Sequence, residues 1–233
     1  MNPEILWALD EAMTKHGEML HATEDLVAAT RSQVSNGHYP KKPLEDIATL
    51  ITKGESPGWQ GFEYQEDGAV FVTSENVLFG RYEPQPRKHI PTEFHHKLRR
   101  SALRKGDVLF NLVGASIGRG CVLPEIGKEA NVNQAVAVVR LDETTAKPEF
   151  ILGHLLSPNG LKDILRTAVN TARANVSLAS LRKTLIPLPP IAVQVDICVR
   201  LGSLEKAKAS NTAHIEALRT VRISFLNQVI QQP

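Results

Sequence analysis

Four glycines, Gly106, Gly114, Gly118 and Gly120, punctuate the apolar run GDVLFNLVGASIGRG at 106–120. Glycine-rich turns can cradle phosphate through backbone N–H groups, so nucleotide chemistry is the first reading to test. The spacing fails it. A Walker loop needs a glycine, four residues and then Gly-Lys-Ser/Thr. Counted from Gly114 the sixth residue is Arg119, and neither GKS nor GKT occurs. A dinucleotide fingerprint needs G-x-G-x-x-G opening a helix, but here the order is G-x-x-x-G-x-G, followed by the proline-containing run CVLPEIG. The expectation is a buried strand, DVLFNLV, turning through glycines into a second strand at Cys121.

Other chemistry has no better footing. HExxH, CxxC and GxSxG are missing. So is the Asp/Asn/Ser-Pro-Pro-aromatic tetrad of DNA amino-methyltransferases, because Pro189–Pro190 is followed by Ile191. No convincing Pro-Asp…Asp/Glu-x-Lys nuclease pattern is present. His95 and His96 are neighbours embedded among basic residues and are expected to be exposed or to face phosphate rather than to hold a metal. Cys121 and Cys198 lie far apart and read as buried or half-buried free thiols. No catalytic residue, metal site or cofactor is assigned to the chain. It reads as a binding protein.

Charge suggests what it binds. The net charge is only +2, yet residues 81–105, RYEPQPRKHIPTEFHHKLRRSALRK, hold eight Lys/Arg against two Glu, a local +6. Such a concentration is costly unless it faces water or a polyanion. A solvated basic loop and a nucleic-acid contact are the two readings.

The elements that must position these residues fall into three parts. Residues 1–36 read as one helix, in which Leu6, Leu9, Met13, His16, Leu20, Thr23, Val27, Thr30 and Val34 recur at alternating steps of three and four. Six of these nine are apolar, a seam too narrow for a core helix, so a partner helix is needed. Residues 190–233 repeat the pattern through Ile197, Leu201, Leu204, Lys208, Asn211, Ile215, Leu218, Arg222, Phe225 and Val229. The polar centre at Lys208 and Asn211 reads as a register-setting layer, a partner contact or a break. The two helices pair most economically with each other, antiparallel, or with a second copy. Between them, 37–189 has the texture of a mixed, β-containing domain, with short β-rich runs at 69–79, 106–114, 120–125 and 133–142. A more helical stretch at 147–170 is broken by SPNG at 157–160. The fold class is therefore α+β: one mixed, β-rich domain flanked by two long helices that form an antiparallel coiled coil or a helical dimer rod. No apolar run approaches the roughly 18 residues of a membrane span. The opening MNPEILWALDEAM also lacks a signal-peptide layout. A cytoplasmic location without a membrane partner is expected.

Four segments, in order, resemble the specificity subunit of type I restriction–modification enzymes. PLEDIATLITKGESPGW (43–59) resembles the entry strand and loop of a target-recognition domain. LRKGDVLFNLVGASIGRGCVLPE (103–125), followed by NVNQAVAVVRLD (131–142), resembles that domain's most recognisable block. TARANVSLASLRKTLIPLPPIAVQVDICVRL (171–201) resembles the exit turn and the start of the long conserved helix. The resemblance implies a non-catalytic subunit that reads double-stranded DNA and holds methyltransferase subunits, which supply the S-adenosylmethionine chemistry. Restriction motor-nuclease subunits join such complexes for cleavage. Full-length members carry two recognition domains, and this chain has room for one. It resembles a half subunit, for which a homodimer reading a symmetric, interrupted site is the expectation. A coiled-coil adaptor without DNA binding, or the specificity module of a single-chain DNA-modifying enzyme, are the alternatives.

DNA reading needs phosphate-positioning and base-reading contacts. The candidates for phosphate are Lys53, Arg81, Arg87, Lys88, Lys97, Arg99, Arg100 and Arg104. Base reading needs forked donors and acceptors, and the loop candidates are Gln60, Ser74, Asn76, Arg119 and Arg173. Asn131, Asn133 and Gln134 are expected to buttress backbone, and Asn175 and Ser177 to cap the segment after them. Trp59 is expected to pack its glycine-flanked loop down. For the helix interface the candidates are Leu6, Leu9, Met13, Leu20, Val27, Ile197, Leu201, Leu204, Ile215, Leu218, Phe225 and Val229.

Overall fold

The computed structural model describes residues 3–36, 38–166 and 175–230. Arg173 and the side chains of Val34 and Val229 lie outside the described residues. The chain forms two units, one from 1–30 and 199–233 and the other from 31–198. The boundaries fall inside both long helices.

The first unit consists of most of α1 (Pro3–Asn36) and α6 (Ile191–Ile230), running antiparallel. Asp10 accepts from Arg222 at 2.7 Å, His16 meets Asn211 at 3.1 Å, and Glu24 accepts from Lys208 at 2.9 Å. The residue at every third or fourth step is the one withdrawn from water. Leu6, Leu9, Met13 and Leu20 are half-buried and Val27 is buried on α1. On α6, Leu201 is buried and Leu204, Ile215, Leu218 and Phe225 are half-buried. The polar centre does not interrupt the 40-residue α6. Asn211 is buried against His16, whose ring stacks on His214 with centroids 5.0 Å apart, so the layer's polar groups satisfy one another across the two helices.

The second unit is layered. A four-stranded antiparallel sheet has the order β2-β8-β5-β6, from Ala48–Lys53, Val136–Leu141, Val108–Asn111 and Gly120–Val122. A three-stranded sheet has the order β4-β3-β7, from His89–Ile90, Ala69–Val72 and Ala130–Val132, with β3 and β7 parallel. Side chains alternate across a strand. Val108, Phe110, Ala137 and Val139 thus face one core, with Phe150 and Leu155 of α3 (Pro148–Leu155), Ile164 of α4 (Pro158–Arg166) and Leu181 of α5 (Leu178–Lys183). Leu109, Val136 and Val138 face the other way onto Val70, Val72 and Val132 of the smaller sheet. Its outer face, Phe71 with Ala69 and Ile90, is covered by Phe94 and Leu98, Phe94 belonging to α2 (Thr92–Lys97). Covered on both faces, these strands read as continuous apolar runs rather than as alternating ones. Each fully buried phenylalanine contributes about 1.5–3 kcal/mol.

The ends of this unit are clasped. β1 (Lys41–Pro43) pairs antiparallel with β9 (Leu185–Pro187). Gln194, fully buried in the first turn of α6, accepts from the Lys147 N–H at 2.9 Å and donates to the carbonyls of Thr145 and Pro189. Ile197, expected on the helix seam, instead packs with Cys198 against the core beneath α3, because this end of α6 belongs to the β-rich unit. Ser177 caps α5 by accepting the Ser180 N–H at 2.9 Å. Burial pushes the Cys121 thiol up to about 12 and that of Cys198 to about 11.

Candidate nucleic-acid interface

Strand register gathers the site. Lys53 pairs with Ala137, Asn111 with Val136, Phe110 with Gly120, and Val72 with Val132. The segments 54–68, 73–88, 112–119 and 133–135 therefore all set out from the same end of the two sheets. The glycine-punctuated run at 106–120 supplies one of them. After β5 the chain turns through Gly114–Ser116 and re-enters as β6, with Gly114 and Gly118 at positive φ. Strand, turn, strand is the observed order.

These segments are fastened to one another. Asn111, a polar residue inside an apolar strand, donates to the carbonyls of Ser74 (3.0 Å) and Val77 (3.1 Å). The Gly80 N–H donates to the Gly120 carbonyl at 2.8 Å. Arg81 and Arg119 consequently sit on adjoining segments. Asn76, a candidate base reader, is instead the pin of its own loop. It is 2% exposed; its oxygen accepts the Thr73 N–H at 2.9 Å and its amide donates to the carbonyls of Glu83 and Pro86. Nothing of it is left to face a base.

Segment 54–68 is rooted at Gly54, where an added Cβ would stand 1.5 Å from the Val132 carbonyl oxygen. It then makes a tight turn at Gly58–Gln60, closed by the Gln60 and Phe62 N–H groups donating to the Pro57 carbonyl at 2.8 and 3.1 Å. The Phe62 ring packs on Phe94 with centroids 4.9 Å apart, and the Lys97 ammonium lies 5.7 Å over it. Glu55 accepts from Gln60 at 2.8 Å and from Arg100 at 2.6 Å. The turn and the basic 92–101 segment are thus one assembly. Trp59 does not pack the loop down: the residue is 83% exposed.

Beneath this surface, Asn131 donates to the Leu98 carbonyl at 3.0 Å and its side-chain oxygen meets His95 Nδ1. His95 is 6% exposed, so it is neither solvent-facing nor phosphate-facing, as its basic neighbours suggest, but part of the support. Asn133 accepts the Ala135 N–H at 3.1 Å.

The other cations divide. Arg81 pairs with Glu83 at 3.0 Å and Lys88 with Glu75 at 2.7 Å, the Lys88 hydrogen bond holding Glu75 below the usual carboxylate range. Arg87, Arg99 and Arg119 are exposed and form no ion pair among the described residues. Arg104 stands apart, because it leads into β5 from the opposite end, where its N–H donates to Asp107 at 2.7 Å. Sequence reasoning does not single out Glu55, Phe62 or Asn111. Only Asn111 carries a local signal, as a polar residue in an apolar strand. Among the described residues, no group of three or more His, Cys, Asp or Glu could hold a metal ion, and no helix is long and apolar enough to cross a membrane.

A β-rich unit of this construction, entered and left through long helices, has known counterparts. Residues 39–219 match the family described as the type I restriction modification DNA specificity domain, and the chain belongs to that family. It is 30% identical over 141 residues to the type I restriction enzyme EcoBI specificity subunit of Escherichia coli, a match covering 60% of this chain and 29% of that protein. It is 22% identical over 172 residues to the MjaVIII specificity subunit of Methanocaldococcus jannaschii, covering 72% of this chain and 40% of that one. The fold resembles the HsdS subunit from Thermoanaerobacter tengcongensis (TM-score 0.63, 16% identity, 99% of this chain and 56% of that one). It also resembles the S subunit from M. genitalium (TM-score 0.59, 13% identity, 95% and 57%). A chain from a type I R-M assembly gives a TM-score of 0.68 at 18% identity, again over 57% of its length. The chain spans less than half of the sequence relatives and a little over half of the structural ones.

Proposed function

We propose that this chain is a non-catalytic DNA reader that recognises one half of a bipartite site on behalf of a methyltransferase. The observation that carries this is the convergence of separate loops at one end of the two sheets. Lys53 leads into one of these loops and Gln60 lies on it, and Lys97 and Arg100 are tied to that loop through Phe62 and Glu55. Arg81 and Arg119 belong to two adjoining ones, which supports one DNA-facing surface that Arg99 would share. Phosphate contacts would position the duplex, while Gln60, Ser74 and Arg119 would reach base edges. S-adenosylmethionine would reside on the partner methyltransferase, and a restriction motor-nuclease subunit would use the same reader. The helices have a second role. We place association with a second copy and with the methyltransferase on the outer faces of these helices, where Trp7, Met19, Leu26, Val221 and Ile223 are exposed.

Titration of a duplex at several salt concentrations tests the first part. Six phosphate contacts give a slope of about −5 in log K against log salt, and a salt-independent constant would refute the assignment. Light scattering at micromolar concentration tests the second: a mass of two chains is expected, and the mass of one chain counts against the homodimer. Charge placed at Leu204 or Leu218 should part α6 from α1 before it alters sequence preference.

A further inference from the structure

We propose that Trp59 is a duplex-contacting residue whose indole lies against sugars and base edges beside the phosphates held by Arg100 and Lys97. The inference rests on the DNA-reading function proposed for this surface and adds to it a residue that the charge pattern does not supply.

A tryptophan left 83% open to water, on a turn rather than at a chain end, gives up burial that its ring would otherwise gain. The turn around it is fixed. Gly54 is locked against the Val132 carbonyl, Pro57 is buried and its carbonyl accepts two backbone hydrogen bonds, and Phe62 packs at a tilt on Phe94. The tip also stands clear of the body, since an added Cβ at Gly58 or Gly61 would meet nothing within 4 Å. A rigid turn thus holds one large aromatic ring away from its own protein.

The surroundings say what the ring meets. Lys97 and Arg100 are joined to the same turn through Phe62 and Glu55, Arg99 is exposed between them in sequence, and Lys53 is exposed at the turn's root. Of the acids on these segments, Glu55 is engaged with Arg100 and Gln60 and Asp67 with Lys128, while Glu63, Glu66 and Glu93 are exposed, so the cations act locally, at Lys97, Arg99 and Arg100. A presented aromatic ring beside Lys97, Arg99 and Arg100 suits a duplex, whose phosphates meet the cations and whose sugars and base edges give the ring a surface to pack against. Packing against sugars adds affinity whatever the base. Trp59 would therefore strengthen binding, while Gln60 beside it would discriminate between bases.

The chain has two tryptophans, Trp7 and Trp59, so a Trp7→Phe variant reports on Trp59 alone. Its emission is titrated with an unlabelled mixed-sequence duplex of about 30 base pairs at about 50 mM salt, and binding is followed in parallel by the anisotropy of a labelled copy. The expected result is quenching of Trp59 by about a third or more on binding, with Trp59→Ala weakening affinity by about tenfold and Trp59→Phe by less. Because the side chain is exposed, both variants should melt like the parent. Binding by anisotropy with unchanged Trp59 emission, and with a Trp59→Ala affinity equal to wild type, would overturn the inference and leave the DNA-reading function standing. Absence of any duplex binding would overturn both.

Discussion

The Glu55 carboxylate meets the Arg100 guanidinium at 2.6 Å across 45 residues of sequence, and the same carboxylate accepts from Gln60 at 2.8 Å. Glu55 thereby links the turn that carries Trp59 to the basic segment. With the Arg100 side chain 65% exposed and that of Glu55 34%, the pair adds little to stability. Its effect is on the field the surface presents, because a carboxylate there opposes phosphate and occupies a cation that phosphate would use. Glu55→Gln keeps the shape and removes the charge. It should leave the melting temperature nearly unchanged, raise affinity for mixed-sequence DNA by about three- to tenfold at low salt, and steepen the salt slope by roughly one. Titrations at several salt concentrations check it. An unchanged slope would place Arg100 away from the duplex.

At the opposite end of the sheet lies a different kind of ion pair. Arg140 donates twice to Asp107, at 2.7 Å each, and once to the Ala102 carbonyl at 2.9 Å, while Asp107 also accepts the Arg104 N–H. Asp107 is 1% exposed, so removing either partner leaves a charge without compensation in the interior. Asp107→Ala should cost about 3 kcal/mol, or roughly 10 °C in melting temperature. Pairing Asp107→Leu with Arg140→Met should recover most of that loss, since an apolar replacement of both partners carries no stranded charge. Denaturant unfolding of the two variants measures the difference. Equal losses in both would mean that the contact is not acting as a pair.

What the sequence makes legible depends on how far apart the cooperating residues are. The strand at 108–111 and its glycine turn can be read locally, because an apolar run, glycines and a proline are neighbours in the chain. The helix seams are legible for the same reason, through a spacing of three and four. Asn76 looks like a free loop amide because its partners, the carbonyls of Glu83 and Pro86, are ordinary backbone with no signature of their own. His95 looks exposed because its sequence neighbours are basic, whereas its actual neighbours, Asn131 and Glu129, come from β7 and the residue before it. Trp59 looks like a packing residue because aromatic rings usually are. Only three-dimensional anchoring of Pro57 and Phe62 reveals a ring left open to water. Convergence of the loops at one end is likewise a property of strand register, which no single segment encodes.

One buried histidine makes stability depend on acidity. Burial holds the His154 imidazole down at about 4 against an ordinary 6.5, with Lys41 pushing the same way and the hydrogen bond at Leu185 and the charge of Asp163 pulling it partly back. Between those two values the unfolded chain takes up a proton that the folded chain does not. The folded state is therefore most favoured, as far as this group goes, above about pH 7. Its advantage is lost progressively as pH falls through 6.5 towards 4, and the loss at pH 5 is about 2 kcal/mol. His154→Leu keeps an apolar side chain in the same core and removes the titration, although it also gives up the hydrogen bond at Leu185. Urea unfolding at pH 7.5 and pH 5 should show wild type losing about 2 kcal/mol more than the variant over that interval. Comparing the two proteins cancels the other seven histidines, which both retain. Parallel acid slopes would mean that the buried imidazole is not the group that weakens the fold in acid.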